Sequence, residues 1–407
     1  MKIPDVKEGV KCAIVGTTFK QQILKPSILK ELCEDINVLP QPVMGKLISN
    51  DDGLLLEDEV QRITLCGKAT VDDFVGGIPL ACLGLQLENG KFVVEDFTFL
   101  DASIPPPLPS KPEDRYILLM SGLEFGGPSD ASDPGTTLIS IRLLADYVCG
   151  YSGDSAQQSK AAKISRVIVA GNLISEKAQD KDFSAQAKYL TRKAVSGSVE
   201  AVKNLDKFLE ALCPFINVDI MPGEYDPTNY QWPQRPLHRC ALPSAAQYDT
   251  LHNVANPYLC DIDSVCLLGT SGKNVDDVFK YCGIDGRLEI MEKLLRWGHL
   301  APTAPDTLES YPFYEDDPFV LTDIPHIFFT GNQPQLEYKY ISTGSGNQQC
   351  LLLCLPKFKN AGECVLVNLT DLSVEPLYFD PTVIESKPLV NGSETEVMDN
   401  GNEMNGS

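Results

Sequence analysis

Apolar residues in the first hundred positions come in short runs: KCAIVGTTF (11–19), EVQRITLCG (59–67), IPLACLGLQL (78–87) and KFVVEDFTFL (91–100). Each is short, bounded by polar or glycine positions, and predicts a strand, with ENG (88–90) as a hairpin signal between the last two. One helix is expected near PSILKELCEDI (26–36). Four or five short strands in this span suit a small barrel such as an OB fold, placed at residues 1–100. DASIPPPLPSKPED (101–114) is too proline-rich to continue either element and reads as a stiff linker.

Beyond the linker the periodicity changes. RYILLMSGL, RVIVAG and INVDIMPGEYD read as strands, separated by TTLISIRLLADYV and by a stretch repeating apolar residues at Val199, Val202, Leu205, Leu209 and Leu212. SVCLLGTSG and HIFFTGNQP supply two more strands that stop at glycine turns, with the helix RLEIMEKLLRW between them. Strand, loop and helix alternate as in an α/β layered domain, α+β for the chain as a whole, expected over residues 115–384. The closing runs CLLLCLPKF, ECVLVNLT and VEPLYF look like a β-meander. Residues 385–407 are polar and rich in glycine and asparagine, and are expected to be disordered.

The 407 residues hold 34 basic and 56 acidic side chains, a formal charge of −22 that repels a phosphate backbone on average. Within 1–105 the balance is 10 Lys/Arg against 16 Asp/Glu, and DDGLLLEDE sets an acidic cluster inside the barrel region. Single-strand binding needs a basic groove interleaved with stacking aromatics, so Phe92, Phe97 and Phe99 are read as filling the barrel or a protein interface. No stretch approaches eighteen uncharged apolar residues and the opening residues carry no secretion pattern, so neither a membrane span nor export is expected. The 13 cysteines, an odd number set largely in apolar runs, read as reduced intracellular thiols.

Candidate chemistry is sparse. GTSGKN (269–274) has Leu267 and Asn274 where a phosphate loop needs Gly and Ser or Thr, so it reads as a glycine turn capping a strand. No G-x-S-x-G elbow occurs. With four histidines and no C-x-x-C pair, a zinc ribbon or finger is not expected, and His238 and His326 are read as structural.

Four strands end in glycine turns of one style, LLMSGL, VAGNLIS, MPGEYD and FTGNQP. Their succession resembles the calcineurin-like metallophosphoesterases, whose strands end in D-x-H, G-D-x-x-D, G-N-H-[DE] and G-H-x-H. In that family, paired cations about 4 Å apart clamp a phosphate. Carried onto this chain, the first turn has Ser121 and Leu123 in place of Asp and His, and the second Asn172 and Ser175 in place of two aspartates. The third has Glu224 and Tyr225 for Asn and His and keeps Asp226, and the last has Asn332 and Pro334 for two histidines. Paired hard cations require anionic bridging oxygens to offset their repulsion, which amides and a leucine do not supply. Tyr225, with a phenol titrating ordinarily near 10, is a poor acid/base at neutral pH. Even with His299 as a further match, the resemblance implies the fold without the catalysis, and no metal or cofactor.

A barrel followed by such a domain resembles the small, or B, subunits of replicative DNA polymerases, and within them the delta type. The carrying segments include VGTTFKQQILKPSILKEL, LEDEVQRITL, ISRVIVAGN, AKYLTRKA, MPGEYDPTNYQWPQRPLH, NPYLCDIDSVCLLGTSGKNVDDVFKY and APTAPDTLESYPFYEDDPFVL, spanning about residues 7 to 380. The family usually has a helical segment ahead of the barrel, whereas this sequence starts almost at its first strand, as an isoform or an incomplete gene model would. The resemblance implies a non-catalytic nuclear scaffold that grips the cysteine-rich C-terminal domain of the polymerase delta catalytic subunit. It also implies docking of the accessory subunit that links to the sliding clamp, association with the polymerase zeta catalytic subunit, and contact with DNA only through the complex. The alternatives are the small subunit of another replicative polymerase, an active metallophosphoesterase, and an autonomous single-strand DNA binder.

Overall fold

The computed structural model describes residues 2–25, 45–100, 102–109, 113–126, 136–178, 197–342 and 348–381. The helix expected near 26–36, the AKYLTRKA segment and the tail from 385 lie outside these residues.

Five strands, β1 (Lys11–Gln21), β2 (Gly53–Glu57), β3 (Arg62–Gly67), β4 (Pro79–Gln86) and β5 (Phe92–Thr98), form a closed barrel in the order β1-β2-β3-β5-β4. The acidic DDGLLLEDE stretch contributes β2, because alternate leucines Leu54 and Leu56 point into the barrel with Ile14, Ile63, Leu65, Leu80 and Phe92. Phe97 and Phe99, both half-buried, pack on Phe74 with ring centroids 5.5 and 6.0 Å away and so lie against the barrel core.

The rest of the chain forms two sheets packed face to face. One has the order β16-β15-β6-β7-β8-β9, built from β6 (Tyr116–Met120), β7 (Ile164–Ala170), β8 (Asn217–Met221), β9 (Leu251–Asn253), β15 (Glu363–Asn368) and β16 (Val374–Tyr378). The other has the order β10-β11-β12-β14-β13, built from β10 (Tyr258–Ile262), β11 (Val265–Thr270), β12 (Ile327–Gln333), β13 (Glu337–Ser342) and β14 (Gln349–Pro356). β6 through β9 run parallel, as do β11, β12 and β14. Strands covered on both faces are apolar nearly throughout, as in YILLM and CLLLCL.

Ile117, Leu119, Ile168, Phe329, Leu351, Leu353 and Val365 fill the space between the sheets. Helices α1 (Thr136–Val148), α2 (Ser155–Ala161) and α3 (Gly197–Leu212) cover the outside of the first sheet. Helices α4 (Lys273–Tyr281) and α5 (Arg287–Trp297) cover the second. α5 buries Ile290, Met291, Leu294 and Leu295 at helical spacing and ends at Gly298 with φ +69°.

One feature departs from the sequence reading. The closing runs do not form a meander: β14 belongs to one sheet and β15 and β16 to the other, joined by the short helix α6 (Phe358–Ala361). β14 and β15 are apolar on both faces, so their pattern carries no information about which sheet they join. The barrel core is also continuous with the layer of α4 and α5, since Ile14, Phe74 and Leu80 share one apolar cluster with Trp297, Leu300 and Leu352. Lys20 ties the seam, donating to the carbonyls of Phe74 at 3.1 Å and Tyr281 at 2.8 Å.

Candidate functional site

Parallel strands in both sheets deliver their C-terminal ends to one edge, where loops of α/β sheets gather their functional groups. There the chain places Ser121 after β6, Asn172 after β7, Glu224 and Asp226 after β8, Ser271 after β11 and Asn332 near the end of β12. The glycines between them allow backbone to lie on backbone. A Cβ on Gly223 would stand 2.1 Å from Asn172 Oδ1, and one on Gly331 would stand 2.3 Å from the Ala170 carbonyl. A Cβ on Gly171, at φ +77°, would stand 2.6 Å from Ser271 Cβ and 3.0 Å from Gly223 Cα.

Most polar groups carried to this edge have a structural occupation, the exception being Asn332 Oδ1, which is buried without a hydrogen-bond partner. Ser121 Oγ accepts from the Asn332 amide at 2.9 Å and donates to the Pro356 carbonyl at 2.9 Å, tying β6, β12 and β14 together. Asn172, at φ +51°, accepts through Oδ1 from the Glu224 amide at 3.0 Å. Asn332, at φ +58°, donates through Nδ2 to the Ser271 carbonyl at 2.8 Å and the Ala170 carbonyl at 3.3 Å. Asp226 accepts from the amides of Gly223, Ile174 and Leu173 at 2.7, 2.8 and 3.1 Å. Burial pushes its carboxyl up to about 6 against the pull of those amides.

The remaining predicted positions lie elsewhere. Leu123 is fully buried in the helix-side core, and Pro334 is exposed. Ser175 is buried and its amide donates to the Phe125 carbonyl at 3.0 Å. Tyr225 stands among Glu224, Glu176 and Glu124; burial first, and then those carboxylates, push its phenol far above the ordinary range. At the rim, Glu124 pairs with Lys357 at 2.7 Å and Lys359 at 3.6 Å, and Glu224 faces Lys273 at 3.8 Å.

Sequence reasoning missed the buried amide network behind the turns. Asn256 donates to Gln234 Oε1 at 2.7 Å and to Ser271 Oγ at 2.6 Å, and Gln234 donates to the Gly223 carbonyl at 3.0 Å. A buried amide has no composition signature, and the only hint was its place inside the long specific segments. The two buried histidines are committed as well. His326 accepts from the Cys266 amide at 2.9 Å and bonds the Pro106 carbonyl at 2.8 Å, and His299 accepts from the Ala301 amide and meets Asp317 at 3.0 Å. GTSGKN forms the turn from β11 into α4, with Lys273 at 3.6 Å over the Tyr230 ring.

This donor set does not fit a pair of divalent ions. Its central side chains are neutral and its nearest carboxylate is saturated by amides, and among the described residues no three His, Cys, Asp or Glu stand where they could hold a metal.

Residues 117–338 match the family model of the DNA polymerase alpha/epsilon B subunit, and residues 1–97 match that of the DNA polymerase delta subunit OB-fold domain. The DNA polymerase delta small subunit of Oryza sativa is 41% identical over 92% of this chain and 85% of its own length. That of Arabidopsis thaliana is 39% identical over 95% and 86%, and DNA polymerase delta subunit 2 of Drosophila melanogaster 35% identical over 92% and 84%. A solved archaeal phosphodiesterase aligns over 65% of this chain and 99% of its own at 10% identity and a TM-score of 0.32.

Proposed function

From the premise that this chain belongs to the B-subunit family of replicative DNA polymerases, among the DNA polymerase delta small subunits, we propose that it acts as a non-catalytic scaffold within the polymerase delta complex. In this reading it holds the cysteine-rich C-terminal domain of the catalytic subunit, docks the clamp-linking accessory subunit, and works in the nucleus in replication and repair. The polymerase zeta catalytic subunit is a further partner of the same kind, and DNA is reached through the complex.

The observation that carries the non-catalytic reading is the use of Asn172, Asn332, Ser121 and Asp226 as ties between strand ends. A metallophosphoesterase needs those positions free to bind cations and a phosphate. Here the Asn172 and Asp226 oxygens, the Ser121 hydroxyl and the Asn332 side-chain nitrogen are spent on backbone, while the neutral Asn332 Oδ1 is buried without a partner. The formal net charge of −22, the burial of Phe92 and the packing of half-buried Phe97 and Phe99 against the barrel core speak against an autonomous single-strand binder.

Metal analysis of the purified chain, combined with hydrolysis of a bis-nitrophenyl phosphate ester in manganese, tests this. The expected result is no stoichiometric metal and no turnover. Two bound ions, with activity lost in Asp226→Ala, would replace the scaffold reading with the enzyme. Purification from nuclear extract should bring down a polymerase catalytic chain, and recovery of the small subunit alone would count against the complex.

A further inference from the structure

The outer wall of the barrel breaks the alternation that its inner wall keeps. On β1 the inward positions are Ile14, Gly16, Thr18 and Lys20, and the outward ones run Ala13, Val15, Thr17. On β4 Leu80 and Cys82 point inward while Pro79, Ala81, Leu83 and Leu85 point outward. An antiparallel wall with one wet face should carry polar residues there. Register sets Ala13 opposite Leu83, Val15 opposite Ala81 and Thr17 opposite Pro79, so these side chains make one continuous apolar strip. Val15 remains 61% exposed and Leu83 39%.

Acidic residues line both sides of the strip. β2 flanks β1 with Glu57 opposite Thr17, followed by Asp58 and Glu59, and β5 flanks β4 with Asp96 opposite Leu83, next to Glu95. Neighbouring strands lie about 4.8 Å apart, so the carboxylate rows stand roughly 14 Å apart across a strip two strands wide. That width seats one α-helix, about 10 Å across, with its flanks facing both rows. A depression of about 640 Å³ between Lys2, Val15, Thr17, Glu57 and Glu59 deepens the β2 side.

We propose that the outer face of β1 and β4 docks an amphipathic helix of a partner polypeptide, its apolar stripe flanked on both sides by lysine or arginine. Lys2, Lys11, Arg62 and Lys68 already pair with these carboxylates, but at exposed positions, where an ion pair contributes at most about 1 kcal/mol and exchanges readily for a partner's cation. A second copy of this chain fits less well than a basic helix, because it would bring the same excess of carboxylates, Glu57, Asp58, Glu59, Glu95 and Asp96 against Lys2, Lys11, Arg62 and Lys68. The barrel alone supplies every residue of this face, whichever complex the chain joins.

The test uses the full chain and a fluorescent model helix of roughly 18 residues, about five turns, with a leucine stripe flanked by lysines. A twin peptide carries glutamates in place of the lysines. Anisotropy should show the lysine helix binding and the glutamate twin weaker by about tenfold or more. Val15→Asp and Leu83→Asp should each weaken the lysine helix by about tenfold, although each adds a favourable charge, while Leu259→Asp on exposed β10 should leave it unchanged. Unshifted melting curves show that the variants fold. Absence of binding, binding indifferent to Val15→Asp, or equal loss in Leu259→Asp would overturn the assignment. Dimerisation in sedimentation equilibrium that Val15→Asp abolishes would overturn it in favour of a second copy.

Discussion

Replacing Asp226 with alanine removes the acceptor shared by the amides of Leu173, Ile174 and Gly223. The residue is only 5% exposed, so little water can take its place. Each buried donor left unpaired costs roughly 1–3 kcal/mol, or about 6 kcal/mol for the three. Against this stands relief of a desolvated charge: burial pushes the carboxyl up to about 6, a rise corresponding to about 3 kcal/mol. The expected net loss is therefore about 3 kcal/mol, or roughly 6–12 °C in thermal midpoint for a chain of this size. Urea unfolding followed by the fluorescence of buried Trp232 and Trp297 reads it directly. If Asp226 were instead a metal ligand, the metal-free protein would lose nothing and the deficit would appear only with manganese. A loss below about 1 kcal/mol, or one confined to manganese-loaded samples, refutes the account of Asp226 as a tie between turns.

The same carboxyl fixes a pH dependence. Its folded value near 6 lies above the unfolded one, so its contribution is complete below about pH 4 and is lost as the pH rises through about 6; Asp226→Asn should flatten the urea-midpoint profile across that window. Gly331→Ala places a Cβ 2.3 Å from the Ala170 carbonyl and 2.9 Å from Ser121 Cβ, and should cost about 2 kcal/mol by chemical denaturation. Gly45→Ala, with nothing within 4 Å, should change stability by less than about 0.5 kcal/mol. Because the barrel shares its core with α4 and α5, calorimetry should show one transition for both, and Gly77→Ala, whose Cβ would meet the Pro302 carbonyl at 1.8 Å, should split or broaden it. Excess chelator should leave the melting temperature unchanged, since anything bound to the folded state raises it by mass action.

Local signals carried far in this chain. Short β-rich runs marked β1, β3, β4 and β5, and period-3.6 stripes marked α1, α3 and α5, because burial on one face leaves a repeat that a single sequence displays. Residue chemistry alone also shows that Ser121, Leu123, Asn172 and Asn332 bring no negative charge to these turns, since a hydroxyl, an amide or an alkyl group is neutral in any fold. What the sequence withheld is what depends on distant partners. β14 and β15, apolar on both faces, show no preference for a sheet, so their division between two sheets was settled by packing. The tasks of Asp226, Gln234 and Asn256 followed only when loops about 15 to 50 residues apart met at 3 Å. Identity sets what a group can donate or accept, but hydrogen bonding and burial depend on separation in space, and only the folded chain fixes that.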